Sequence, residues 1–304
     1  MSALPYVIVC DSRASHAAWL AHRCSGIGAS EIAAVLGESP WQSALSVYAA
    51  KVDPAEPDAD ESEWLAWGHK LEPIILAEFA ARTGRLLRPG GLLLRSHEHP
   101  WALATLDAEA SADEGTTWAP VDAKNISAHK SDAWAEGPPE HYRIQVHQQM
   151  LVTGAKKASL CGLLGGNKYI WCDVERDETL IRKIIHQGSA FWQRVQDRDA
   201  PAPDGSESAK LALSRMYPRE TDAVIALPLS MSDTIAAMQA ARKEETAAHD
   251  RAEAAAQALK AALGSAVRGI CPDGYEISWK TQAKREYIVK ASTTRVLRVQ
   301  APKK

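Results

Sequence analysis

The amino-acid sequence predicts a layered α/β (α+β) fold, with helices flanking a central run of strands. Three observations carry this. Strand-like runs follow one another in mid-chain at Leu92–Arg95, Ala102–Ala108 and Thr117–Lys124. Long helix-like segments stand on either side, at Glu63–Thr83, Glu140–Thr153 and Glu178–Val195. Of the 304 residues, 46% are hydrophobic and 24% charged, a globular composition that argues against a wholly disordered, collagen-like or membrane-embedded chain.

The elements read as follows. Leu4–Cys10 is apolar, lacks a basic flank and runs into Asp11, so it reads as a strand and not as a secretory signal. Ser30–Leu36 begins a helix. Asp53–Ser62 is acidic and proline-bearing, the composition of a surface loop. Ala158–Leu164 and Lys168–Val174 form a hairpin across Gly165-Gly166-Asn167. In Glu178–Val195, the residues Leu180, Ile181, Ile184, Ile185, Phe191 and Trp192 recur near helical spacing. Ser232–Leu263 is alanine-rich, with strong helix propensity and a thin apolar stripe. Tyr275–Lys280 and Glu286–Lys290 read as strands. No run approaches the length of a transmembrane helix.

Asp199–Ser208 (DAPAPDGSES) has the composition of a linker. It divides the chain into a body, residues 1–198, and an accessory piece, residues 209–304. The formal net charge is −3, distributed unevenly. Ser265–Lys304 carries nine Lys/Arg against three acids, so the remainder is acidic. A basic tail suits contact with a polyanion; a merely solvated basic surface is the plainer reading. Five scattered cysteines without a C-x-x-C pair fit reduced thiols in a cytoplasm better than a disulfide frame or a zinc site.

The chemistry centres on residues 104–124. Asp107 lies in the apolar run ALATLDAEA, and Asp122 and Lys124 lie in WAPVDAKN. A hairpin centred on Glu114–Gly115 sets Asp107 opposite Asp122. Facing carboxylates repel, and need a proton or a cation between them. A hard divalent cation such as Mg²⁺ suits the pair, with waters and a substrate phosphate completing its shell. Lys124, two residues on, projects from the same strand face as Asp122. An ammonium there steadies an attacking water or charge building on a phosphate. The Ala123 side chain faces away, but its carbonyl remains available as a ligand. This is a kit for metal-assisted phosphodiester hydrolysis. The plainer alternative is a turn aspartate beside a surface ion pair. A carboxylate-pair glycosidase would leave Lys124 without a task.

With these residues in place, the sequence resembles the YqaJ-type phage recombinase nucleases, relatives of the phage lambda exonuclease in the PD-(D/E)XK superfamily. The resemblance runs from about Trp19 to Val195. Its markers are GIGASEIAAVLGESPW (26–41), WGHKLEPIILAEF (67–79), HPWALATLDA (99–108), VDAKN (121–125), HYRIQVHQQMLVTG (141–154) and the GGN turn with its following helix. The resemblance implies a restriction-endonuclease-like core with a central mixed sheet. It makes Asp107 and Asp122 metal ligands together with the Ala123 carbonyl, Glu72 a further acid of the metal site, and Lys124 the catalytic lysine. Gln145 becomes the glutamine of the helix that follows, and Arg23 and Ser30 become phosphate contacts. The family usually has Glu where this chain has Asp122, which bears on rate and metal preference.

Each carried residue also has a structural reading. Glu72 precedes Pro73 and would mark a helix start or kink. Gln145 shares a polar helical stripe with Tyr142 and Gln149, apart from an apolar face of Ile144, Val146, Met150 and Leu151. Ser30 reads as a helix N-cap and Arg23 as a surface charge. No histidine is assigned to metal. The ten tryptophans are read as mostly core, except that Trp41 and Trp134 lie in loop-like stretches suited to stacking on unpaired bases.

The resemblance implies a Mg²⁺-dependent exonuclease (Mn²⁺ a possible substitute) that digests double-stranded DNA ends 5′→3′ for phage-type recombination. It further implies a homotrimer around DNA, a single-strand annealing protein as partner, no membrane, and the cytoplasm of a bacterial or phage-infected cell. Two alternatives stand beside it: an endonuclease of the same superfamily, and a catalytically weakened DNA-binding or assembly protein motivated by the shorter Asp122.

Overall fold

The computed structural model describes residues 4–53, 63–283 and 297–299. It divides the chain into two compact units, Met1–Tyr217 and Pro218–Lys304. The acidic loop, apart from Asp53, and the expected strand Glu286–Lys290 lie outside the described residues.

The first unit opens with β1 (Tyr6–Asp11), α1 (His16–Arg23), β2 (Ile27–Gly28), α2 (Ile32–Val35) and α3 (Ala44–Val52). Then come α4 (Glu63–Thr83), β3 (Leu86–Pro89), β4 (Leu92–Ser96), β5 (Ala102–Thr105), β6 (Ala108–Ser111) and β7 (Ala119–Ile126). It continues with α5 (Glu140–Thr153), β8 (Lys157–Leu164), β9 (Lys168–Glu175), α6 (Glu178–Asp197) and α7 (Glu207–Met216). The strands form a four-stranded sheet, β1-β4-β5-β2, and a five-stranded sheet, β3-β6-β7-β8-β9. In the larger sheet β7 and β8 run parallel and the other pairs antiparallel, so the sheet is mixed, as the family resemblance implies. The parallel pair needs a crossover, and α5 supplies it.

Helices cover both faces of the larger sheet. On one side Ile75 and Phe79 of α4 pack on Ala108, Ala110, Val121 and Cys161. On the other, Val146 and Met150 of α5 pack on Ala158, Leu160 and Val174. The period of two along β7 therefore sends Val121 and Ala123 toward α4 and leaves Asp122 and Lys124 for the α5 side. Pro73 does not interrupt α4, which runs unbroken through Glu72; the helix-start reading of that residue is set aside.

The run Ala102–Ala108 is not one strand. It bends at Leu106–Asp107, with β5 paired to β4 in one sheet and β6 paired to β3 in the other. The partner ribbon bends at the same level, at Gly90-Gly91. The Gly90 and Gly91 amides donate to the carbonyls of Asp107 and Leu106 at 3.1 and 2.8 Å, so two antiparallel strands switch sheets together. Apolar periodicity continues through the bend, which is why it reads as a single strand. A Cβ on Gly90 would stand 1.9 Å from the Leu106 carbonyl oxygen, so only glycine permits the crossing.

Two other expectations change. The proline-rich segment Asp199–Ser208 lies within the first unit: Ala200 packs on its core, and Ala209 and Ala212 of α7 are buried in it. The division falls after Tyr217 because α7 packs on α3 and belongs to the body. The tryptophans are mostly not core; of the ten, Trp101 alone is buried, while Trp41, Trp64, Trp67, Trp171 and Trp279 are exposed. Tryptophan is large and carries a polar N–H, so it seldom disappears completely from solvent.

In the second unit, α8 (Ser230–Leu263) is a 34-residue helix with no buried residue. A short hairpin follows, β10 (Arg268–Ile270) with β11 (Glu276–Ser278), closed by an Arg268–Glu276 ion pair of 2.7 Å. No helix among the described residues is long and apolar enough to cross a membrane.

Replacing Gly90 with alanine forces the ribbon apart at the crossing. Overpacking of this kind destabilises by about 1–3 kcal/mol, so Gly90→Ala should lower the thermal midpoint by a few degrees or more, measured by scanning calorimetry.

Candidate active site

The bend between the sheets creates the site. The β6–β7 ladder pairs Ala108 with Val121, Glu109 with Pro120 and Ala110 with Ala119, the register set by a hairpin centred on Glu114–Gly115. Asp107 stands one position beyond its end, level with Asp122. The backbone leaves for the other sheet there, and the side chain takes over the missing rung: Asp107 Oδ2 accepts a hydrogen bond from the Ala123 amide at 2.8 Å.

Asp122 is buried, with 1% exposure. Its Oδ1 accepts two hydrogen bonds from α5, from Gln145 Nε2 at 2.7 Å and Gln149 Nε2 at 3.0 Å. Its Oδ2 lies 2.5 Å from Lys124 Nζ, an ion pair along the strand face. No aligned hydrogen-bond donor meets Oδ2 among the described residues. Lys124 Nζ also sits 5.2 Å from the centre of the Tyr142 ring, a cation–π contact.

The electrostatics follow from crowding. Burial, and then the charge of Asp122, push the Asp107 carboxyl well above the ordinary range, while Lys124 and the Ala123 amide pull the other way. Burial draws Lys124 down, but Asp122 and Asp107 outweigh it and hold the ammonium above its usual value. Lys124 is thus a fixed cation near neutral pH. Glu72 is also raised, by burial first; His69 opposes this and the Asp122 charge adds to it. The α4 acid is therefore within electrostatic reach of the β7 pair.

Among the described residues no three His, Cys, Asp or Glu side chains come close enough to hold a metal by themselves. The smaller donor set still fits a hard cation: two carboxylates, one with an oxygen short of donors, and the Ala123 carbonyl. Repulsion between the acids is the feature a divalent ion would relieve.

Arg23 and Ser30 lie in a different constellation. Glu31 is buried and receives Arg23 Nη2 at 2.7 Å, Lys51 Nζ at 2.7 Å and the Gly28 amide at 2.7 Å. Burial raises its pKa, but the two cations prevail and keep it low. Arg23 Nη2 reaches Ser30 Oγ at 3.4 Å, and its guanidinium lies over the Trp19 ring. Ser30 is not an N-cap. Glu31 occupies that position of the four-residue α2, with no side-chain cap bond.

Sequence reasoning left three contributors unassigned: Gln149, Glu31 and Lys51. Gln149 carried a signal, standing one turn after Gln145 on the same face. Glu31 follows Ser30 within the motif itself. Lys51 gave none, because its partner is distant in sequence.

A mixed sheet between helices, with an acid-x-lysine strand beside a second acid, defines the class: the PD-(D/E)XK nuclease fold. The chain matches the YqaJ-like viral recombinase domain over residues 18–156. It is 32% identical over 215 residues to the uncharacterized protein YqaJ of Bacillus subtilis (strain 168), a match spanning 69% of this chain and 66% of that protein's own length. The alkaline exonuclease LHK-Exo of Laribacter hongkongensis is 20% identical, with a TM-score of 0.48; its complex with dAMP gives 0.50. Each match covers 66% of this chain and 98% of the exonuclease chain, and the likeness is one of fold.

A raised carboxyl pKa binds more protons in the folded than in the unfolded state. Asp107 therefore favours folding at acid pH, and that stability is lost as pH rises through its folded value. In metal-free buffer, Asp107→Asn should flatten this decline and raise the thermal midpoint at pH 7–8. Divalent cation should stabilise the wild type and leave the variant largely unmoved. A midpoint–pH series with and without Mg²⁺ reads both effects.

Proposed function

We propose that the chain is a divalent-metal-dependent exonuclease acting on double-stranded DNA ends in phage-type homologous recombination. One observation carries this reading: Asp107, the Ala123 backbone, Asp122 and Lys124 meet at a sheet edge, with Asp122 fixed by two glutamines. Asp107, Asp122 and the Ala123 carbonyl would hold the ion, with Glu72 assisting. Mg²⁺ is the favoured cofactor and Mn²⁺ a substitute. A bound ion supplies charge neutralisation at the scissile phosphate and a more acidic water.

The side chains divide the remaining work. Lys124 stays protonated, so it orients the attacking water and stabilises charge on the phosphate; it is not the general base. Gln145 and Gln149 set the rotation of the Asp122 carboxylate, holding Oδ1 on α5 and Oδ2 at the site. This pinning compensates for a shorter acid, since an aspartate reaches less far than a glutamate from the same backbone. Arg23 and Ser30 would take a substrate phosphate, with Glu31 presenting the guanidinium. The finer features belong to the same proposal on the family resemblance: 5′→3′ polarity, a homotrimer around DNA, a single-strand annealing partner and a cytoplasmic site of action.

Incubation of end-labelled linear duplex and closed circular DNA with Mg²⁺ or EDTA tests the proposal. Mononucleotide release from the linear form only, and only with metal, is the expected result. Cutting of the intact circle would make the chain an endonuclease, and binding without cleavage a DNA-binding protein. Lys124→Ala should lower the cleavage rate by about 10²–10³-fold with duplex affinity largely kept. Gln149→Ala should reduce metal affinity or kcat by about 10–100-fold. Gln145→Ala combined with it should deviate from additivity, since both donors serve one oxygen.

A further inference from the structure

Four aromatic rings gather beside the lysine from three separate segments. Trp41 comes from the loop before α3, Trp134 from a short helical turn after β7, and His141 and Tyr142 from the first turn of α5. Trp41 meets the His141 ring edge to face at 4.6 Å between centroids and the Tyr142 ring at 5.9 Å. His141 and Tyr142 lie 4.2 Å apart, and Trp134 lies 5.5 Å from Tyr142. Tyr142 in turn carries Lys124 Nζ over its ring at 5.2 Å.

Core packing does not account for the cluster. Trp41 is 55% exposed, and the other three rings are only partly buried. Of the four, Tyr142 packs against a core cluster, that of Val146, Met150, Ala158, Leu160 and Val174. His141 Nε2 is buried and has no hydrogen-bond partner among the described residues. Exposed aromatic faces next to a fixed cation match one ligand chemistry closely: a nucleotide with its phosphate on the ammonium and its base on the rings.

We propose that Trp41, Trp134, His141 and Tyr142 form a stacking platform for unpaired bases of the DNA strand at the active site. The proposal rests on the nuclease reading and adds to it that the strand is engaged with bases splayed from the duplex. Stacking tolerates any base, because every base has a π-face, so the platform grips the strand without sequence preference.

Duplexes carrying a short single-stranded extension, either with normal bases or with abasic sites throughout, separate stacking from phosphate binding. Affinities are measured by fluorescence anisotropy in EDTA, so base contact is read whether or not the chain cuts DNA. Failure of the nuclease reading shows separately, as absence of Mg²⁺-dependent cleavage. Wild type should bind the base-bearing end roughly five- to a hundredfold more tightly than the abasic one, with quenching of tryptophan fluorescence. Trp41→Ala and Trp134→Ala should bring the two affinities together, while Trp41→Phe keeps most of the difference. Equal wild-type affinity for both ends would overturn the platform, a result that needs no variant to fold. Full discrimination by a Trp41→Ala protein of native circular dichroism would overturn it too.

Discussion

A carboxylate buried inside a sheet-and-helix sandwich has to be compensated, and the compensation of Asp122 organises much of the first unit. An unpaired buried charge would cost several kcal/mol or shift to its neutral form. Here Lys124 lies 2.5 Å away and two amide donors come from α5. Those donors explain an otherwise odd helix. Gln148 and Gln149 are fully buried in α5, where a layered fold would ordinarily place apolar residues. Gln148 serves the scaffold, donating to the carbonyls of Ile27 and Leu103 at 2.7 and 3.0 Å and tying the smaller sheet to the helix. Gln145 and Gln149 serve the acid. The helix that crosses between parallel strands thus locks both sheets and the site.

The second constraint is the doubled bend at Gly90-Gly91 and Leu106-Asp107. Strands that switch sheets must leave ladder groups unpaired at the corner, and buried amides need partners. The Ala123 amide finds its partner in the Asp107 side chain. One geometric event therefore does two things: it ends the ladder, and it delivers an acid to the open edge opposite Asp122. The site is a by-product of the corner, which places its precision in backbone hydrogen bonds and glycine sterics.

Much of this was legible in the sequence, for reasons that differ by element. The helices α4 and α5 match their expected ranges, and α5 stops where Gly154 takes up a left-handed cap. The 108–121 register was legible because a compact turn fixes pairing by symmetry about its centre. The sheet switch was not, since an apolar run looks the same whether it continues straight or folds at Leu106. The boundary after Tyr217 was missed because a Pro-rich segment reads as a linker by composition, while α7 is anchored by two small alanines, Ala209 and Ala212. Ser30 was misread as a cap because the short turn after it has the composition of a helix start. Its neighbour Glu31 instead spends its carboxylate on Arg23, Lys51 and the Gly28 amide.

An aspartate at position 122 also sets what the surrounding residues must do. On a strand, side-chain length sets how far a carboxylate stands from the sheet, and one methylene fewer leaves Asp122 close to the backbone. At that depth Asp122 meets Lys124, whose side chain is 18% exposed. Both acids then hold Lys124 protonated, and Tyr142 screens it on one side. A cation so fixed cannot exchange protons with a water at neutral pH, but it can hold one in place and answer charge on a phosphate. In the proposed reaction a group other than Lys124 would take the proton, and a bound ion would supply a more acidic water. Glu72, raised by burial and felt by the Asp122–Lys124 pair, is the group in reach whose state would respond as an ion enters.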